Sequence, residues 1–99
     1  MNIDFKDKVI LVTGSTSGIG RQIAKQLLEN QANVIITYGH NEKMAEETMQ
    51  ELSKYKENIF LIKADLSNAN DVDMMFDEVT KKYDKLDGLV NCAAYDKIL

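Results

Sequence analysis

The stretch Thr13-Gly14-Ser15-Thr16-Ser17-Gly18-Ile19-Gly20 has residue types and spacing suited to holding phosphate. Each glycine has a separate task. Gly14 lets the chain leave a strand in a tight turn, and Gly18 lets backbone come close to a pyrophosphate. Gly20 lets the following helix pack tightly against the sheet. Backbone N–H groups and the positive end of the helix dipole then face the anion. Ser15, Thr16 and Ser17 add hydroxyl donors without bulk. A bare strand-to-helix turn is the plain alternative. A glycine triplet gains specificity from its setting, and here it follows an apolar run and precedes an amphipathic one. No Gly-Lys-Ser/Thr follows the glycines, which excludes a Walker-type loop.

The elements that must position this turn repeat a single pattern: a short apolar run, a turn, then a helical stretch. Val9-Ile10-Leu11-Val12-Thr13 is apolar without alternation, as in a strand covered on both faces. A helix starting near Gly18 carries Ile19, Ile23, Leu27 and Leu28 at about one-turn spacing. Asn30-Gln31-Ala32-Asn33 breaks it. A second strand, Val34 to Tyr38, leads to a helix capped by Asn41 with Ala45, Thr48, Met49 and Leu52 as its stripe. The third run is Ile59 to Ile62. Ser67 or Asn68 caps a third helix, with Ala69, Val72, Phe76, Val79 and Tyr83 on one face. The last run is Leu86 to Cys92.

The order β-α-β-α-β-α-β predicts an α/β fold, a doubly wound parallel sheet of Rossmann type with spatial order 3-2-1-4 over residues 1–99. A crevice is expected where that order reverses, between the first and fourth strands at their carboxyl ends. Right-handed crossovers put the first two helices on one face and the third on the other. Part of the second face and the edge of the fourth strand are then left bare. Self-association is the expected consequence.

Composition narrows the function classes. Acids and bases are interleaved over the 99 residues, with a net charge of −4, which argues against a nucleic-acid partner. No apolar run approaches the length of a membrane span, and the charged N-terminus lacks a signal-peptide core. Cys92 is the sole cysteine, so no internal disulfide forms, and a cytoplasmic setting is expected.

Thr-Gly-x-x-x-Gly-x-Gly at this spacing resembles the short-chain dehydrogenase/reductase family. Two further segments carry the likeness. Asp65-Leu66 ends the third run, where that family has an acid against the adenine ring. Leu86-Asp87-Gly88-Leu89-Val90-Asn91-Cys92-Ala93-Ala94 resembles the family's Leu-Asp-x-Leu-Val-Asn-Asn-Ala-Gly. Among family members the chain looks most like bacterial 3-oxoacyl-acyl-carrier-protein reductases. The resemblance implies an NAD(P)-dependent oxidoreductase of a carbonyl or hydroxyl substrate. It assigns Gly14, Ser15, Thr16, Ser17, Gly18, Ile19 and Gly20 to the phosphate loop, and Asp65 and Leu66 to the adenine contact. Asn91 and Ala93 fall in the segment that runs beside the ribose and steadies the sheet. Cys92 stands where the family has a second asparagine. Ala94 adds a methyl where the family has glycine.

An NAD site usually has an acid about 20 residues past the glycines, bonded to the ribose 2′-OH. Here the second strand ends Thr37-Tyr38-Gly39-His40-Asn41, with neither an acid nor an arginine. Tyr38 is taken as a cofactor contact, and NADP is favoured over NAD. His40 is either a cation for the 2′-phosphate or a plain exposed loop histidine. Cys92 reads as a small core residue, and the methionines at 44, 49, 74 and 75 as core or rim packing. The family's catalytic tyrosine is followed four residues on by lysine. Here Tyr38, Tyr55, Tyr83 and Tyr95 are followed at that distance by Glu42, Ile59, Asp87 and Leu99. No catalytic residue is therefore assigned, and the chain is expected to be the amino-terminal part of a longer oxidoreductase. A non-enzymatic nucleotide-binding or interaction module is the alternative.

Overall fold

The computed structural model describes residues 4–16 and 18–92. Among these residues four strands and three α-helices alternate: β1 (Val9–Thr13), α1 (Gly18–Glu29), β2 (Asn33–Tyr38), α2 (Glu42–Glu51), β3 (Ile59–Lys63), α3 (Ala69–Tyr83) and β4 (Gly88–Asn91). All pairings are parallel, and the spatial order is β3-β2-β1-β4, as the sequence predicts.

The turns follow local chemistry. Asn41 caps α2, its side chain accepting from the Met44 N–H at 3.0 Å. Asn68 caps α3 by accepting from the Asn70 and Asp71 N–H groups. Of the two candidates for that cap, Asn68 is therefore the one used. Helix α1 closes through Gln31, which takes a left-handed φ of 73°. The next residue, Ala32, returns its N–H to the Leu27 carbonyl. A 3₁₀ segment at Ser53–Asn58, interrupted at Tyr55, joins α2 to β3 and was not expected from the sequence.

Two apolar layers sandwich the sheet. On one face Ile10, Val12, Val34, Ile36 and Ile59 pack against Ala24 and Leu28 of α1, with Leu52 just past α2. On the other, Val9, Leu11, Ile35 and Ile62 pack against Met75 and Val79 of α3. The expected division of helices between faces is thus present. Three stripe assignments, one in α1 and two in α3, need correction. Ile19 is 76% exposed, and α1 instead buries Gly20, Ala24 and Leu28. Phe76 and Ala69 are also exposed, and Met75 takes the core position. In α1 Gly20 lies so close to the Gly14–Ser15 backbone that no Cβ fits there, and the helix buries that side together with Ala24 and Leu28.

Candidate functional site

The connections leaving β1, β2 and β3 converge at the carboxyl edge of the sheet. Gly14, Thr16, Thr37, Tyr38, Gly39, Ala64, Asp65 and Leu66 line a cleft there of about 220 Å³. Five of these, Gly14, Thr16, Tyr38, Asp65 and Leu66, are among the residues singled out in the sequence. Thr37, Gly39 and Ala64 were not, although each is a chain neighbour of one that was. The cleft lies at the expected edge but is displaced toward β2 and β3. Among the described residues β4 contributes none of its lining, because the three converging loops belong to the other strands.

The glycine-rich turn is built as its spacing requires. Gly14 has φ of 68° and Gly18 of 21°, both on the left-handed side. A Cβ on Gly18 would meet nothing within 4 Å, so this part of the turn presents open backbone. A Cβ on Gly20 would overlap the Gly14 carbonyl and stand 2.9 Å from Ser15 Cα. The helix can therefore approach the turn this closely only through glycine. These features fit a diphosphate, which needs bare backbone at the approach point and a helix start behind it.

Not every hydroxyl of the turn faces a ligand. Ser15 is buried, and its Oγ donates to the Val12 carbonyl at 2.7 Å, closing the end of β1. Its side chain has a folding task, and only its backbone is left for the cleft. Thr16 lines the cleft while its carbonyl accepts from Arg21 at 2.9 Å. Arg21 also reaches Glu51 at 3.3 Å, and the sequence reading passed over it. A signal was present, since Arg21 directly follows the last glycine of the turn. Ile19 is exposed in the first turn of α1 and is not part of the cleft lining. Ser17 and Ala93 lie outside the described residues.

At the far wall, the Ala64 N–H donates to the Tyr38 carbonyl at 2.9 Å, joining two lining segments. The Asp65 carboxylate accepts from the Ser67 hydroxyl at 2.6 Å and from the Ser67 N–H at 3.0 Å. The hydroxyl first, and then the N–H, hold its pKa below the ordinary aspartate value. Its other oxygen is 4.0 Å from His40 Nε2, on a side chain that is 86% exposed. The β2 connection has no acid of its own, yet folding brings one beside it from the β3 connection. Lys63, next to the lining residue Ala64, is already bound to Glu42 at 3.0 Å.

Asn91 steadies the sheet. Its Oδ1 accepts from Thr13 Oγ1 at 2.7 Å, across the pair of strands where the winding reverses. Cys92 packs half-buried against the α1 and α2 layer, as expected of a core thiol, and its N–H donates to the Thr13 carbonyl. Among the described residues, no cluster of His, Cys, Asp and Glu could hold a metal ion, and no helix is long and apolar enough to cross a membrane.

A parallel sheet wound both ways from its first strand, with a glycine-rich turn at that strand's carboxyl end, defines a Rossmann-type protein. The chain belongs to the short chain dehydrogenase family, which residues 8–98 match. It is 40% identical over 86 residues to the 3-oxoacyl-[acyl-carrier-protein] reductase FabG of Staphylococcus aureus, covering 87% of this chain and 35% of that protein. A short chain dehydrogenase structure from Bacillus anthracis superposes with a TM-score of 0.84 at 31% identity, covering 91% of this chain and 36% of that one. A Caenorhabditis elegans short-chain dehydrogenase/reductase of unknown function, solved with cofactor, gives a TM-score of 0.78 at 32% identity, covering 86% and 32%. The chain thus spans about a third of the length of the proteins it matches.

Proposed function

We propose that this chain is the dinucleotide-holding part of an NAD(P)-dependent oxidoreductase acting on a carbonyl or hydroxyl substrate, in the manner of a 3-oxoacyl-acyl-carrier-protein reductase. One observation carries the reading. Three separate connections meet at one cleft beside a glycine turn whose Gly18 offers open backbone. The residues then divide the cofactor between them. Gly14, Thr16 and Gly18, with Ser15, Ser17, Ile19 and Gly20, hold the pyrophosphate through backbone N–H groups and the start of α1. Tyr38 and Gly39 flank the adenosine ribose, and Asp65 and Leu66 close over the adenine. Asn91 and Ala93 border the ribose toward the nicotinamide. The bound cofactor supplies the hydride. No tyrosine in the 99 residues is followed four positions on by lysine, so residues 1–99 alone provide no general acid of the family's kind.

NADP is the favoured cofactor. The β2 connection carries no acid of its own, and on it the exposed His40 stands 4.0 Å from the Asp65 carboxylate, so a protonated imidazole would offset that charge beside a 2′-phosphate. Calorimetry with NADPH, NADH and ADP-ribose tests the reading. Weak binding of all three is expected, modestly tighter for NADPH, with Gly14→Val weakening each. No heat with any of them rejects the site, and a clear preference for NADH reverses the cofactor assignment. Self-association through the α3 face and the β4 edge belongs to the same proposal. It is supported by exposed Leu89, Met74 and Phe76.

A further inference from the structure

Arg21 sits in the first turn of α1, immediately after the glycine that abuts Gly14. A guanidinium is best solvated when it points to water, yet this one folds back onto backbone. One terminal nitrogen donates to the Thr16 carbonyl at 2.9 Å. The other meets Glu51 Oε2, at the end of α2, at 3.3 Å. The side chain is three-quarters covered, and its Nε is shut off from solvent without a hydrogen-bond partner in the described structure. Arg21 is absent from the lining of the cleft, whereas Thr16 is part of it.

We infer that Arg21 is a positioning residue that braces the glycine-rich turn for a diphosphate, tying Thr16 to the end of α2. The inference rests on the dinucleotide reading of the cleft. Two glycines in left-handed conformation make the turn costly to hold in one shape. A brace anchored thirty residues away removes part of that freedom before a ligand arrives, which improves affinity without a new ligand contact. It also occupies a carbonyl oxygen whose negative lobe would otherwise be free to swing toward the phosphates. Arginine suits the task because one planar fork serves two acceptors at once. A lysine ammonium is a single point on a flexible stem.

The test uses the full chain and two probes, adenosine and ADP-ribose, which differ in the diphosphate. Arg21→Ala is expected to weaken ADP-ribose about ten-fold and to leave adenosine unchanged, the size of effect a charge-assisted hydrogen bond gives. Arg21→Lys remains impaired. Glu51→Gln, which leaves the Thr16 bond in place, loses less than either. In the ligand-free chain, hydrogen exchange at residues 14–20 is expected to quicken in Arg21→Ala, with exchange in the strands unchanged. Equal weakening of both probes, full ADP-ribose affinity in Arg21→Lys, or unaltered exchange in the turn overturns the brace. If the unsubstituted chain binds neither probe, the dinucleotide reading fails, and exchange alone decides whether Arg21 braces the turn.

Discussion

The two faces of the sheet are equally apolar in sequence and unequally covered in space. On the face of α1 and α2, Ile10, Val12, Val34 and Ile36 lie beneath two helices and the residues that follow them. On the other face a single helix, α3, covers Val9, Leu11 and Ile35. Leu89 of β4 pairs in register with Leu11 and so points to that same face, yet it is 58% exposed while Leu11 is fully buried. Strand chemistry does not explain the difference, since both are leucines on neighbouring strands. The crossovers explain it. Two of them run toward β3 and lay their helices side by side. The third returns past β1 to reach β4 and brings only one helix with it.

The sharpest way to break this contrast is to truncate the paired leucines one at a time. Leu11→Ala is expected to cost about 2–5 kcal/mol, because it removes packing under α3 and leaves a cavity. That is a large share of the ~5–15 kcal/mol available to a domain of this size. Ile36→Ala, equally buried on the better covered face, should fall in the same range. Leu89→Ala should change stability by no more than about 0.5 kcal/mol. Urea titration at low protein concentration reads all three. A loss at Leu89 comparable with that at Leu11 would mean that the β4 face is covered in solution.

Association is the next effect in size. Large apolar side chains left in water, such as Leu89, Phe76 and Met74, favour interfaces. The chain is expected to sediment faster than a monomer at micromolar concentration and to bind a dye that reports apolar surface. Leu89→Lys should shift the boundary toward monomer and weaken the dye signal, since a charge on an edge strand opposes pairing. A monodisperse, dye-silent chain that unfolds in one sharp transition would remove the proposed interface.

Much of this was legible in the sequence because it depends on short-range pattern. Unbroken apolar runs gave the buried strands, and the rule of handed crossovers gave both the order 3-2-1-4 and the division of helices. The glycine triplet marked one wall of the cleft, since each glycine answers a local backbone need. What was missed depends on contacts between distant segments. Ile19 and Phe76 fit apolar stripes by type and spacing, but the buried face runs through Gly20, Ala24 and Leu28 in α1 and through Met75 and Val79 in α3. The approach of Asp65 to His40 follows from β2 and β3 being neighbours, and no spacing within either loop encodes it. The Ser15 hydroxyl is a ligand donor by type, yet in the fold it donates to the Val12 carbonyl, a contact between residues three apart that residue type does not reveal. The 3₁₀ segment over Ser-Lys-Tyr-Lys-Glu-Asn carries no periodic signal at all.

A strand covered so lightly needs another source of register, and β4 is fastened by polar groups at both ends. At its far end Asn91 accepts from Thr13. Just before it, Asp87 donates its N–H to the Val9 carbonyl and accepts the Val9 N–H on its carboxylate, both at 2.8 Å. The bond from Val9 is the main reason the Asp87 pKa lies below its ordinary value of 3.8, and Lys85 at 3.2 Å adds to it. A carboxyl with a depressed pKa stabilises the fold above its unfolded value, and that contribution is lost as pH falls through the folded value. Asp87→Asn keeps an acceptor for Val9 but loses the charge. It is therefore expected to lower Tm modestly at pH 7, with the gap to the unsubstituted chain closing as pH drops below about 4, near the ordinary aspartate pKa. Hydrogen exchange should quicken at Val9 and along β4 but not in β2, because β2 is held from both faces by apolar packing. A gap in Tm that stays constant down to pH 2 would show that the carboxylate charge does not hold β4. A variant in which β2 loosens as much as β4 would show that the two strands share one source of stability.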